Sequence, residues 1–166
     1  GALPDATTSF VTPGVFSDTI LIAGQPPTIT SLNSVTLIFS TVSPHTWAGD
    51  LEAELMAPNG DTVDLFSRVG ATTPGGFGDN SNLAGTYVFV NSGGSSFATA
   101  AAGVDPSTAI PSDTYDRSST AGTAVPAADL DNFSVFNGDN INGTWTLFIR
   151  DWATGDIGTL TSWSLD

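Results

Sequence analysis

The stretch that decides the fold is NGTWTLFIRDWATGDIGTLTSWSLD, residues 142–166. Trp145 and Ile149 recur at even spacing in its first half, and Trp163 and Leu165 do so in its second half. Because successive side chains of a strand point to opposite faces, each half is predicted to be a strand with one buried face. The turn-forming run DWATGDIG joins the halves. The sequence therefore predicts a C-terminal hairpin with two tryptophans as core anchors.

An earlier stretch, DLEAELMAPNGDTVDLF at residues 50–66, shows the same alternation around a Pro-Asn-Gly turn. Leu51 and its even-spaced neighbours form an apolar face, whereas Glu52, Glu54 and Asp64 are predicted to face solvent. Pro and Asn-Gly supply the backbone conformations that a tight reversal requires. This stretch is therefore predicted to be a second hairpin.

The composition favours an all-β protein of one domain spanning residues 1–166. Gly 18 and Pro 10, with abundant Ser and Thr and no lysine, disfavour helices and favour short strands joined by turns. Residues 67–85 and 91–131 are predicted to be loops, separated by one strand at 86–90. Residues 98–103 have the composition of one helical turn at most.

The charge restricts the partners of the protein. Seventeen acidic residues face three arginines, which gives a formal net charge of -14. Nucleic acid and anionic membrane surfaces are excluded as partners, because a polyanion would be repelled. No stretch approaches the roughly 20 apolar residues of a membrane span. Aspartate-rich turns attract cations, and with one histidine and no cysteine the metal to consider is calcium.

Catalytic residues are poorly represented in the sequence. A serine hydrolase would need His45, the single histidine, as its base, but no G-x-S-x-G stretch occurs. Glu52 and Glu54 lie two residues apart on a predicted strand, about 6–7 Å along one face, which is within the range of a glycosidase pair. The prediction is a non-catalytic protein, with a hydrolase that depends on these residues as an alternative.

Two motifs together resemble a known family. The block HTWAGDLEAELMAPNGDTVDLFSRVG at residues 45–70 is similar to the family pattern H-T-x-x-x-D-L followed by a strand and P-x-G. The block at residues 136–166 is similar to its ending G-x-W-x-L-x-x-x-D, loop, G-x-L-x-x-W-x-L. Residues from about 10 to 166 thus resemble the P domain, or P/Homo B domain, of subtilisin-like proprotein convertases, especially its bacterial versions.

This resemblance implies a jelly-roll β-sandwich related to galactose-binding-like folds. It implies a non-catalytic module that follows a secreted serine protease domain and supports its folding, stability or substrate contact, at an extracellular or cell-surface location. It also implies a calcium ion where Asp50 meets the Gly-Asp-Asn loop, with Asp79 and Asn80 as further ligands. Asp151 and Asp156 are predicted instead to make turn hydrogen bonds.

A carbohydrate-binding or cell-surface adhesion module is the main alternative. It would bind a polysaccharide or a surface protein through an exposed aromatic platform, for which Trp47 and Trp152 are the candidates. Trp152 could equally act as a lid over the sandwich edge.

Overall fold

The computed structural model describes residues 1–118 and 132–166 and shows ten strands in two sheets. The predicted loop at 91–131 therefore lies partly outside the described residues. The strands are β1 (Ala2–Leu3), β2 (Gly14–Ile22), β3 (Val35–Phe39), β4 (Leu51–Met56), β5 (Thr62–Ser67), β6 (Gly85–Val90), β7 (Ser95–Ser96), β8 (Asp113–Asp116), β9 (Gly143–Asp151) and β10 (Gly158–Leu165).

Two sheets pack face to face. One has the strand order β1-β10-β3-β6-β8-β7, and the other has the order β2-β9-β4-β5. All the pairs are antiparallel except β6 with β8 and β7 with β8, which are parallel. The predicted all-β, jelly-roll-like sandwich is confirmed.

The predicted C-terminal hairpin is wrong, because its two strands lie in different sheets. β9 pairs with β2 and β4, whereas β10 pairs with β1 and β3. Residues 152–157 cross from one sheet to the other. An alternating pattern indicates only that one face of a strand is buried. It is the same for strands that pair within a sheet and for strands that face each other across a sandwich.

The core is filled from both inner faces, as the alternation predicted. Trp145, Leu147 and Ile149 of β9 are at most 1% exposed, and Trp163 of β10 is 8% exposed. Phe136, in the short 3-10 helix Phe133–Phe136, packs against Trp145 with ring centroids 5.2 Å apart. Each such aromatic side chain contributes on the order of 200 Å² of buried surface. The two predicted anchors are therefore core residues, although they stand on opposite sheets.

The predicted hairpin of β4 and β5 is confirmed, with a register shift between Ala53 and Glu54. The solvent-facing position of its acidic side chains is wrong for two of them. Glu52 and Asp64 are 1% and 2% exposed, and Glu54 is half-buried. The alternation along a strand shows that these side chains point away from the core. It does not show whether other residues cover them on the outer face of the sheet.

The loops contain some regular structure that the sequence did not show. β7 and β8 lie within the predicted loop at 91–131, and the helix α1 (Phe97–Ala102) is close to the single turn that was expected. Phe97 of α1 is fully buried, and its ring packs against Tyr115 of β8. None of the helices in the described ranges is long and apolar enough to span a membrane.

Candidate functional site at the acidic end of the sandwich

Asp50 lies where the 3-10 helix Ala48–Asp50 leads into β4. The neighbouring Gly49 donates its backbone N–H to the carbonyl of Asp79 at 2.8 Å. A Cβ at Gly49 would lie 2.4 Å from the backbone nitrogen of Asp79 and from the carbonyl oxygen of Phe77, so only glycine permits this approach. The first hairpin and the Gly-Asp-Asn loop therefore meet through their backbones.

The Asp50 carboxylate is buried beside other acids. It is 1% exposed, and its Oδ1 has no hydrogen-bond partner within residues 1–118 and 132–166. Burial, together with the charges of Asp151, Asp156 and Asp5, raises the pKa of Asp50 to about 8, and the charge of Arg68 opposes this shift. A buried carboxylate without partners is costly when it is ionised. The structure thus places an unsatisfied acceptor among three other carboxylates.

The other two predicted calcium ligands accept hydrogen bonds, Asp79 through its side chain and Asn80 through its backbone carbonyl. The Oδ1 of Asp79 accepts a hydrogen bond from the Ser81 backbone N–H at 2.9 Å, and the carbonyl of Asn80 accepts one from the Ser107 N–H at 3.0 Å. Both residues are half-buried. Their role as calcium ligands stays a prediction.

Asp151 and Asp156 have longer-range contacts than the predicted turn bonds. Asp151 does accept a turn hydrogen bond from the Ala153 N–H at 3.2 Å, but its Oδ2 lies 3.1 Å from Nε2 of His45. Asp156 is hydrogen-bonded to Thr46. Burial raises the pKa of Asp151, and the hydrogen bond and charge of His45 oppose this. These aspartates therefore tie the crossing loop to the segment before β4.

His45 is a packed structural residue, as its position beside Pro44 and Trp47 suggested. It is fully buried, and its backbone pairs with Leu83 in an isolated bridge. Gly158 lies so close that an added Cβ would come within 2.6 Å of the His45 backbone. A hydrolase would need a nucleophile beside this ring, whereas the described contact of its Nε2 is with Asp151.

A second acidic cluster lies on the outer face of the four-stranded sheet. Carboxylate oxygens of Glu52, Glu54 and Asp64 come within 4.8 Å of one another. Arg150 of β9 donates Nη1 to Glu52 at 2.6 Å and Nη2 to Glu54 at 3.2 Å, and Trp152 donates Nε1 to Glu52 at 2.9 Å. Burial raises the pKa of Glu52, and Arg150 opposes this. The two glutamates of the proposed glycosidase pair are therefore joined by one guanidinium.

The two predicted platform tryptophans are in different environments. Trp152 is 8% exposed and hydrogen-bonded to Glu52, so its predicted position in an exposed platform is wrong. Trp47 is half-buried and packs edge-on against Phe77, with centroids 6.3 Å apart. Phe77 is 54% exposed. Sequence reasoning missed Phe77, although an aromatic residue between glycines in a loop, GGFG, is a signal for it.

The fold and this site together define a β-sandwich module with a buried acidic end. Residues 112–166 match the family model of the proprotein convertase P-domain. This match covers β8, β9 and β10 and confirms the predicted resemblance to the P domain over these residues. The P-domain family consists of non-catalytic accessory domains. No curated protein matches the chain.

Proposed function

We propose that this P-like domain is an accessory module of a secreted bacterial protein, and that it stabilises or assists an adjacent serine protease domain. The observation that carries the proposal is the match of residues 112–166 to the P-domain family, on a two-sheet sandwich. The module has a packed core from both sheets, which suits a rigid support for a neighbouring domain.

The accessory role is tested in a protein that joins the module to its neighbouring catalytic domain. Deleting residues 1–166 is expected to shorten the half-life of protease activity at elevated temperature, because a docked module adds stability to the folded state alone. Unchanged yield of folded protease and unchanged half-life would contradict the proposal. Activity of the isolated module towards peptides would contradict its non-catalytic character.

We further propose that the acidic end binds calcium, with Asp50 as the central ligand. The buried, unpartnered Oδ1 of Asp50 supports this, because such an oxygen is stabilised by a cation. The charges of Asp151, Asp156 and Asp5 act on this carboxylate, and carboxylate oxygens are the ligand type that calcium prefers. Asp79 and Asn80 belong to the loop that meets Gly49 and are the further candidate ligands.

Calcium is expected to raise the melting temperature of the metal-stripped module, while magnesium at equal ionic strength has a smaller effect. At calcium a hundredfold above Kd, mass action predicts about 2.7 kcal/mol, or a shift of about 5–10 °C. Asp50→Asn is expected to remove most of the shift. Differential scanning calorimetry with and without EDTA measures this.

Asp61→Asn is the matched control. Asp61 is an exposed aspartate in the turn after β4, about 20 Å along the strand from Asp50, and it lies beside Asn59. This variant loses the same charge and should keep the full calcium shift. An equal loss of the shift in both variants would mean that calcium acts on net charge and not at one site.

The carbohydrate-binding alternative has less support. Trp152 is buried, and the rings of Trp47 and Phe77 meet at 67°, so they share no plane on which a sugar chain could stack.

A further inference from the structure

Three aromatic side chains form an exposed corner beside the acidic end. Phe10 and Phe77 lie with ring centroids 5.1 Å apart, and Phe77 and Trp47 lie 6.3 Å apart. Phe77 is 54% exposed, and the other two are half-buried. We call this set, Phe10, Trp47 and Phe77, the aromatic corner. It is an apolar surface on a protein that otherwise carries a charge of -14.

The corner is held rigidly by hydrogen bonds. Nε1 of Trp47 donates to the carbonyl of Phe77 at 2.7 Å. The buried Arg68 donates to the carbonyl of Pro74 at 2.8 Å and to that of Gly76, and so holds the loop before Phe77. These bonds fix the backbone that carries Phe77 at the surface. A loop whose backbone is held in place loses less entropy when it binds a partner.

Phe10 of the corner and the adjoining Arg68 have costly backbone conformations. Phe10 has φ of 61° and Arg68 has φ of 44°, a region that residues with a side chain seldom adopt. The N–H of Phe10 is held by the carbonyl of Trp152. Such conformations persist where the surrounding contacts fix them, and they concentrate at functional sites.

The arrangement of the rings favours a cationic group over a sugar. Neighbouring rings meet at 68° and 67°, so their negative faces point in different directions and share no flat surface. The protein itself provides a precedent, because the guanidinium of Arg68 lies 4.6 Å above the centre of the Phe10 ring. Guanidinium and ammonium groups bind such ring faces.

The charge around the corner favours the same kind of ligand. Asp156 is half-buried and hydrogen-bonded to Thr46, the neighbour of Trp47, and the half-buried Asp5 accepts a hydrogen bond from the Gly155 N–H in the same loop. The chain has no lysine, and its three arginines are engaged in internal contacts. Arg68 binds loop carbonyls, Arg150 binds two glutamates, and Arg117 donates to the carbonyl of Asp64. A guanidinium that complements this surface must therefore come from a partner.

We propose that the aromatic corner binds a basic segment of a partner polypeptide, and that an arginine side chain of that segment packs against Phe77 and Trp47. Arginine is preferred to lysine, because a planar guanidinium can stack on a ring while its N–H groups bond to carboxylates. The aspartates attract the segment over a longer range, and the rings fix the side chain. The proposal rests on the corner and not on the family match. It shares Asp5 and Asp156 with the proposed calcium site, so peptide binding is expected to be stronger in EDTA than in calcium.

The test is a titration of the folded module with the blocked peptide Gly-Arg-Gly-Arg-Gly, followed by NMR of the Trp47 indole. Peptides with lysine or with citrulline in place of arginine are the controls, because citrulline keeps the shape of arginine and removes its charge. The arginine peptide is expected to shift the Trp47 signal and to bind at least about fivefold more tightly than the citrulline peptide. The titration is run in EDTA and in calcium, so that failure of the calcium proposal is recognised separately.

Variants identify the contact. Phe77→Leu keeps an apolar side chain but removes the ring, and is expected to weaken arginine-peptide binding at least about threefold. Leu21→Ala, at a position that is 73% exposed on β2 outside the corner, should leave binding unchanged. Melting temperatures show that each variant is folded. Equal binding of the arginine and citrulline peptides, equal loss in both variants, or a Trp47 response to oligosaccharides but not to arginine would overturn the proposal.

Discussion

Arg150→Met is expected to lower the free energy of unfolding by about 3–5 kcal/mol, because it leaves a buried carboxylate without its cation. Glu52 is 1% exposed, and its Oε1 lies 2.6 Å from Nη1 of Arg150. The Glu54 pair is more exposed and contributes less. Methionine keeps much of the side-chain length, so the loss reports on charge and not on packing. Urea unfolding monitored by tryptophan fluorescence measures this loss of free energy. The corresponding fall in melting temperature in a thermal scan is about 6–20 °C.

The double variant Glu52→Gln with Arg150→Met is the control for this prediction. Glutamine removes the buried charge, and its carbonyl can still accept the hydrogen bond from Nε1 of Trp152. Stability should therefore recover by a large part of the loss in the single variant. A loss below about 1 kcal/mol in Arg150→Met would show that the pair behaves as an exposed surface ion pair.

The stability of the metal-free module is expected to fall as the pH rises from about 4 to about 8. Folding raises the pKa of Asp50 from 3.8 to about 8, so the folded state keeps a proton that the unfolded state releases. The contribution of Asp50 to the free energy of unfolding is fully present below pH 3.8, the unfolded pKa. It is lost as the pH rises towards about 8, the folded pKa. The slope for one such group is at most about 1.4 kcal/mol per pH unit. Urea midpoints in EDTA between pH 4 and 9 measure it.

Asp50→Asn should flatten this pH dependence, because the amide does not titrate. A residual slope of the same sign is expected from Glu52 and Asp151, because burial raises the pKa of both. Asp61→Asn, in the exposed turn at the other end of β4, should retain the full slope. An identical slope in the wild type and Asp50→Asn would mean that Asp50 is ionised in the folded protein throughout this range.

The contacts of the acidic end show how far sequence reasoning reached. The motif around Asp50 identified a residue that the structure buries without a partner for its Oδ1 among the described residues. Asp5, Asp151 and Asp156 act on the same carboxylate from distant parts of the chain. Which distant residues converge at one end of a sandwich depends on the strand order, and strand order is not visible in local periodicity.

The long-range ion pair of Arg150 was missed for the same reason. Glu52 and Glu54 were recognised as a pair, and the rise along a strand gave their spacing. Their partner lies about a hundred positions away, on β9, which pairs with β4. The alternation along β4 shows that the two glutamates point outward, but it does not show that the neighbouring strand β9 carries an arginine beside them.

The sequence by itself determined the class of the fold, the strand faces that pack into the core, the β4–β5 hairpin and the family resemblance. These follow from the period of two along a strand, from turn residues and from local motifs. The tertiary structure alone decided that β9 and β10 lie in different sheets and that Trp152 is buried on Glu52 while Phe77 is exposed. These features depend on which segments meet across the sandwich. These tertiary contacts are set by the packing of the whole chain. Two segments with the same alternation can pair within one sheet or face each other across the core.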